Sequence, residues 1–188
     1  MITTQEIHNA KILIIDDELA NVMVLKETLK QSGQTSIQSI TDPREALVTF
    51  QDYQPDLVLL DLNMPHLNGF QVMAQIEEAD PDNHVPFMIL TAQINQNTRL
   101  QALASGAREF LTKPFDILEV SLRIRTMLEM RLLYCQLQDA KKSLEEPSKM
   151  AAFELTAIKL KLQSEPSRRK KLEEQLKNLT VNTDNTID

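Results

Sequence analysis

Four short apolar runs in this chain each end on a polar residue of a particular kind. Residues 11–15 lead into Asp16-Asp17, residues 57–60 into Asp61, residues 87–90 into Thr91, and Phe110-Leu111 is followed closely by Lys113. Runs this short and this rich in Ile, Leu and Val suit strands buried on both faces, the situation of a parallel sheet covered by helices. In such a sheet the residues just past each strand emerge at the carboxyl edge, where open α/β folds place their ligands. The pattern predicts three carboxylates, a hydroxyl and an ammonium around a single pocket.

Punctuation along the chain agrees with alternating strands and helices. Five strands are expected, at 11–15, 37–40, 57–60, 87–90 and 109–111. Between them lie stretches with helical spacing: Val22, Leu25 and Leu29; Ala46, Leu47 and Phe50; Phe70, Met73 and Ile76; Leu100, Leu103 and Ala104. Asp42-Pro43 reads as an N-cap followed by proline at the first helical position, and Gly33 and Gly106 stand where helices should stop. Alternation of this kind implies right-handed crossovers and helices on both faces of a parallel sheet.

Charge divides the chain near residue 115. Residues 1–115 carry 15 Asp and Glu against 7 Lys and Arg, whereas residues 116–188 carry 12 against 13. An acidic first part argues against phosphate-backbone binding, so no nucleic-acid partner is expected, and the basic run at 168–171 reads as a solvated helix face. There is no apolar stretch near the ~18 residues of a membrane span and no charged-then-apolar leader, so no membrane association and a cytoplasmic location are expected. Cys135, alone and without a surrounding motif, reads as helix packing. His8, His66 and His84 follow no ligand spacing and read as surface or turn residues. Met64, Met73 and Met88 read as packing.

The pocket's chemistry follows from its charges. Asp16, Asp17 and Asp61 within a few ångströms would repel one another unless a cation offset them. Hard oxygen ligands left open to water suit Mg²⁺ rather than zinc, and a metal held that way readily meets phosphate oxygens. Asp61 is then the expected nucleophile, forming an aspartyl-phosphate, with Lys113 and Thr91 contacting the phosphoryl oxygens by charge and by hydroxyl hydrogen bond.

These residues resemble the receiver domain of two-component response regulators. The matching pieces are Ile14-Ile15-Asp16-Asp17-Glu18, Leu59-Leu60-Asp61-Leu62-Asn63-Met64-Pro65 with Gly69, Leu90-Thr91-Ala92, and Gly106-Ala107 leading to Phe110-Leu111-Thr112-Lys113-Pro114-Phe115. The resemblance implies a flavodoxin-like fold with a five-stranded parallel sheet of order 2-1-3-4-5. It implies that Asp61 accepts a phosphoryl group from a sensor histidine kinase or phosphotransfer protein, that Asp16, Asp17, Asp61 and the Asn63 carbonyl hold Mg²⁺, and that the Lys113–Pro114 bond is cis. It also implies a switch in which Thr91 swings toward the phosphoryl group and Phe110 moves inward, changing the surface of the family's fourth helix, fifth strand and fifth helix. Phe110 lacks the hydroxyl that tyrosine would bring to that position. Asn63 and Gln93 fall where the family tunes the lifetime of the phosphoryl group. A haloacid-dehalogenase-like phosphatase would need an Asp-x-Asp motif after the first strand, whereas Asp61-Leu62-Asn63 follows the third.

The expected layout is a tail at 1–8, a receiver at 9–125, a continuation of its last helix at 126–146, a helical extension at 147–181 and a disordered tail at 182–188. Met130, Leu133, Leu137, Ala140 and Leu144 have coiled-coil spacing, so a homodimer or an output protein is expected on that stripe. Pro147 is expected to break the helix, and Glu165-Pro166-Ser167 to separate two shorter pieces bearing Leu155, Ile158, Leu162 and Leu172, Leu176, Leu179. The segment entering this region resembles the output helix of regulators that carry cyclic-dinucleotide enzymes. Residues 147–188 are too few and too poor in Gly, His and aromatics for such a domain, and they show no convincing helix-turn-helix. No separate enzymatic activity is therefore expected, and output by protein contact is favoured over a receiver and linker of a larger enzyme.

Overall fold

In a computed structural model of the protein, residues 2–81, 84–92 and 96–184 are described, with side chains throughout except at 96–99 and at most positions beyond Glu145. Five strands, β1 (Lys11–Ile15), β2 (Ser36–Ile40), β3 (Leu57–Asp61), β4 (Phe87–Thr91) and β5 (Glu109–Thr112), form one parallel sheet of order β2-β1-β3-β4-β5. The helices are α1 (Thr4–Asn9), α2 (Leu19–Gln31), α3 (Ala46–Tyr53), α4 (Gly69–Ala79), α5 (Gln96–Ala104) and α6 (Ile117–Asp184). Every expected strand forms, each within one residue of its expected limits.

Side chains alternate across a strand, so consecutive apolar residues feed opposite cores. Leu13, Ile15, Val58, Leu60 and Ile89 pack with Ala46 and Phe50 of α3, Val72, Met73 and Ile76 of α4, and Ala102 of α5. Ile12, Ile14, Leu57, Leu59, Met88, Leu90 and Leu111 face the other way, onto Val22, Leu25 and Leu29 of α2 and Val120, Ile124, Met127 and Leu128 of α6. β1 and β3, in the middle of the sheet, have every apolar residue buried.

Helix ends follow local chemistry. Asp42 caps a 3-10 turn at Pro43–Glu45 by accepting from the Arg44 amide (3.0 Å), with Pro43 at its first position. Gly33 and Gly106 take φ of 91° and 86° past the ends of α2 and α5, and the residues after them return amides to Leu29 (3.0 Å) and Ala102 (3.0 Å).

Two expectations are corrected. The segment read as an N-terminal tail contains α1, whose start is a capping box: Thr3 Oγ1 accepts from the Glu6 amide, and the Glu6 carboxylate accepts from the Thr3 amide at 2.7 Å. Ile7 buries itself in the α2/α6 core, which supplies the energy that a helix of 6 residues cannot supply alone. The expected breaks at Pro147 and Pro166 are likewise absent, for the helical assignment covers both, making α6 68 residues long where shorter segments, and a disordered tail from residue 182, were expected. Proline removes one helical N–H and costs about 3 kcal/mol, but stopping would also require a second costly nucleation. The flanking Glu, Lys, Leu, Ala and Gln residues all favour continuation.

The chain falls into two compact units, Met1–Gln136 and Leu137–Asp188. In the first, Met127 and Leu128 are buried and Leu132 packs on the same core, so the compact body reaches past the expected boundary at 125. In the second, Leu137, Leu144, Leu155 and Leu160 are exposed. The side chains of Ile158, Leu162, Leu172, Leu176 and Leu179, the whole of residues 185–188, and Gln93 lie outside what the structure describes. No helix among the described residues is long and apolar enough to cross a membrane.

Candidate functional site

The strand register brings the predicted polar residues together. Ile15 pairs with Leu60, Asp61 with Leu90 and Thr91 with Thr112, so Asp16, Asp61, Thr91 and Lys113 all stand at the carboxyl ends of four adjacent strands. A main-chain bond from Lys113 N to Thr91 O (2.8 Å) holds the end of β5 against that of β4. The Lys113–Pro114 bond is cis.

Carboxylate oxygens of Asp16, Asp17 and Asp61 lie within 4.8 Å of one another. Asp16 is 0% and Asp61 5% exposed, while Asp17 is half-buried. The Lys113 ammonium reaches Asp16 Oδ2 at 2.8 Å and Asp61 Oδ1 at 3.2 Å, bridging two buried carboxylates from a side chain itself 16% exposed. Asp16 is held on its other oxygen as well: Oδ1 accepts from the Glu18 amide (2.9 Å) and from Asn21 Nδ2 (3.2 Å). A buried charge costs several kcal/mol unless it is paired and hydrogen-bonded, and Asp16 meets both conditions.

The two titratable partners are displaced by these surroundings. Burial raises the Asp61 carboxyl above its ordinary value; the Lys113 charge pulls it down and the neighbouring Asp16 pushes it up further. Burial works to lower the Lys113 ammonium, but its hydrogen bond to Asp16 and the charges of Asp61 and Asp16 outweigh that, and it ends above its ordinary value. One ammonium among three carboxylates leaves an excess of negative charge, which a divalent cation would neutralise. Three convergent carboxylates match the hard oxygen ligands that Mg²⁺ takes.

Thr91 is 1% exposed at the end of β4, beside this cluster in sequence register. Asn63 and Ala92 are exposed on the loops that follow β3 and β4, and Pro114 is exposed after Lys113. Phe110 is half-buried and packs against the α3/α4/α5 core. Gly69 opens α4 with no room for a side chain: a Cβ there would stand 2.5 Å from the Asp61 carbonyl oxygen, so the loop from Asp61 can close only over glycine. Asn21 and the Glu18 amide were missed by sequence reasoning. Their signal was the start of a helix right after Asp16-Asp17, which turns amide donors and the first helical turn back toward the carboxylates.

Comparison with known proteins agrees with this geometry. The sequence pattern of the response regulator receiver domain matches residues 12–125. The response regulator PleD of Caulobacter vibrioides is 32% identical over 135 residues, covering 72% of this chain and 30% of PleD. The chain likewise spans about half the length of curated transcriptional regulators such as YvrH of Bacillus subtilis, with which it is 36% identical over 64% of its own length and 50% of the relative's. Among solved structures, the receiver domain of the sensor histidine kinase PA1611 from Pseudomonas aeruginosa PAO1 has a TM-score of 0.59 at 25% identity, covering 64% of this chain and 98% of that one. It was crystallised with a magnesium ion coordinated in its active-site cleft.

Proposed function

Since the chain belongs to the response regulator receiver domain family, we propose that it is a phosphoacceptor switch in which Asp61 takes a phosphoryl group from a sensor histidine kinase or phosphotransfer protein. The carrying observation is the Lys113 ammonium lying between Asp61 and Asp16 at the carboxyl edge, with Asp17 completing the acidic cluster. A nucleophilic carboxylate, a cation beside it and a metal-compatible donor set are what in-line phosphoryl transfer requires.

Asp16, Asp17, Asp61 and the Asn63 carbonyl are the residues to hold Mg²⁺, which when bound supplies charge to offset the phosphoryl oxygens. An Asp61 oxygen forms the new bond to phosphorus as the phosphorus–nitrogen bond of the donor phosphohistidine breaks, and the departing imidazole keeps the electron pair and is protonated from water. Lys113 then neutralises a phosphoryl oxygen, a role its raised pKa suits because the ammonium stays charged at neutral pH. Thr91 offers its hydroxyl to another oxygen, and Phe110 follows by repacking against its core. Phosphorylation in this way shifts a conformational equilibrium rather than driving a separate reaction. On this reading the chain carries no enzymatic activity beyond its own phosphorylation and dephosphorylation.

The output read from the chain is protein contact through α6, either with a second copy or with an output protein, supported by the exposed apolar residues Met130, Leu133, Leu137 and Leu144. A second reading, favoured by the fraction of PleD and YvrH that the chain spans, makes it the receiver and linker of a larger regulator. Treating the protein with Mg²⁺ and acetyl phosphate, and measuring intact mass and solution size together, tests both. Gain of one phosphoryl group with an increase in size, both absent in Asp61→Asn, supports a switch read through α6. Labelling without a change in size favours the second reading, and no labelling contradicts the phosphoacceptor assignment.

A further inference from the structure

Asp16 carries an uneven set of donors. Its Oδ1 accepts two N–H groups, from Glu18 N and from Asn21 Nδ2, while among the described residues Oδ2 meets only the Lys113 ammonium that also touches Asp61. The terminal torsion of an aspartate is soft and nearly two-fold, so burial alone does not decide which oxygen faces the other carboxylates. The two amide donors decide it. They occupy Oδ1 and leave Oδ2 as the oxygen turned toward the cluster.

Asn21 suits this task through its own tether. Its Nδ2 donates to Glu18 Oε2 at 2.7 Å as well as to Asp16, so both amide hydrogens are committed to carboxylates and the amide orientation is set. It sits in the first turn of α2, a rigid element whose Val22 and Leu25 are buried, and Glu18 at the helix start makes no side-chain cap of its own. Glu18 is therefore free to anchor Asn21 rather than the helix.

We propose that Asn21 is a positioning residue for metal loading: by pinning Oδ1 of Asp16 it presents Oδ2 to Mg²⁺. This rests on the reading of the pocket as a Mg²⁺-dependent phosphoacceptor. Partners that orient a metal ligand typically contribute 10- to 100-fold in affinity. Mg²⁺ demands near-ideal octahedral geometry at short distances, whereas Ca²⁺ accepts looser, longer coordination. Losing the orientation should consequently cost Mg²⁺ more than Ca²⁺.

The test is calorimetric titration of the full chain with MgCl₂ and, separately, CaCl₂, for wild type, Asn21→Ala and Glu18→Ala, with melting in metal-free buffer as a check on folding. Asn21→Ala is expected to weaken Mg²⁺ binding about tenfold and Ca²⁺ binding by less, with metal-free melting close to wild type. Glu18→Ala, which removes only the tether, should weaken Mg²⁺ by a smaller factor. Unchanged Mg²⁺ affinity in Asn21→Ala, or equal loss for both metals alongside a lowered melting point, overturns the proposal. A larger effect from Glu18→Ala than from Asn21→Ala overturns it too, by making the Glu18 carboxylate the group that matters. Absence of Mg²⁺ binding in the wild type would defeat the phosphoacceptor reading itself, an outcome distinct from a wild type that binds while Asn21→Ala binds equally well.

Discussion

Asp61 is a buried carboxylate whose burial and like-charged neighbour outweigh the Lys113 ion pair, and that has a consequence for stability. A carboxyl whose folded pKa is raised binds its proton more tightly in the folded state, so stability falls as pH rises through the interval between the unfolded and folded values. Asp61→Asn is therefore expected to raise the Tm of the metal-free protein at pH 7, and the gain should vanish below both pKa values. Thermal melts in EDTA at pH 7 and at acid pH check this; equal melting at pH 7 would contradict the electrostatic account. Gly69→Ala addresses the same residue from the backbone side. Its Cβ would meet the Asp61 carbonyl oxygen at 2.5 Å, and backbone cannot step aside as a flexible side chain can, so a loss of about 2 kcal/mol is expected by denaturant titration. Asp16, Asp17, Asp61, Thr91 and Lys113 were legible in the sequence because each lies within two residues of the end of an apolar run. Asn21 was not, since its role depends on which way a helix turn points and on a partner five residues earlier.

At the level of elements, periodicity and punctuation carried the reading. The five strands were legible because buried parallel strands are apolar at every position, and the stops at Gly33 and Gly106 because only glycine takes a positive φ without strain. The first helix escaped because a segment of 6 residues lacks a period to detect, although Thr3-x-x-Glu6 is a capping-box signature. Its packing makes a prediction: Ile7 is buried in the same core cluster as Leu29 and Ile124, so Ile7→Ala should cost about 2 kcal/mol in urea unfolding. An unchanged midpoint would mean that α1 is not held to the domain. The helical course through Pro147 and Pro166 was misread because a proline's local penalty was weighed without the cost of restarting a helix.

For the whole molecule, alternation of strands and helices fixed the class, and the order of the sheet followed from the resemblance to receivers. The register of β1, β3, β4 and β5 then turned residues scattered from Asp16 to Lys113 into one cluster. What the C-terminal helix would engage was not legible, because apolar spacing along a helix carries no information on the chemistry of a partner. The central claim is that Asp61 is the phosphoacceptor. It is tested most directly by treating the protein with acetyl phosphate and Mg²⁺, reducing the product with borohydride, and mapping the peptides by mass spectrometry. An acyl phosphate on aspartate is converted by this treatment to homoserine, and the account predicts that conversion at residue 61, dependent on Mg²⁺ and on Lys113. Conversion at another carboxylate, or none at residue 61, would contradict it.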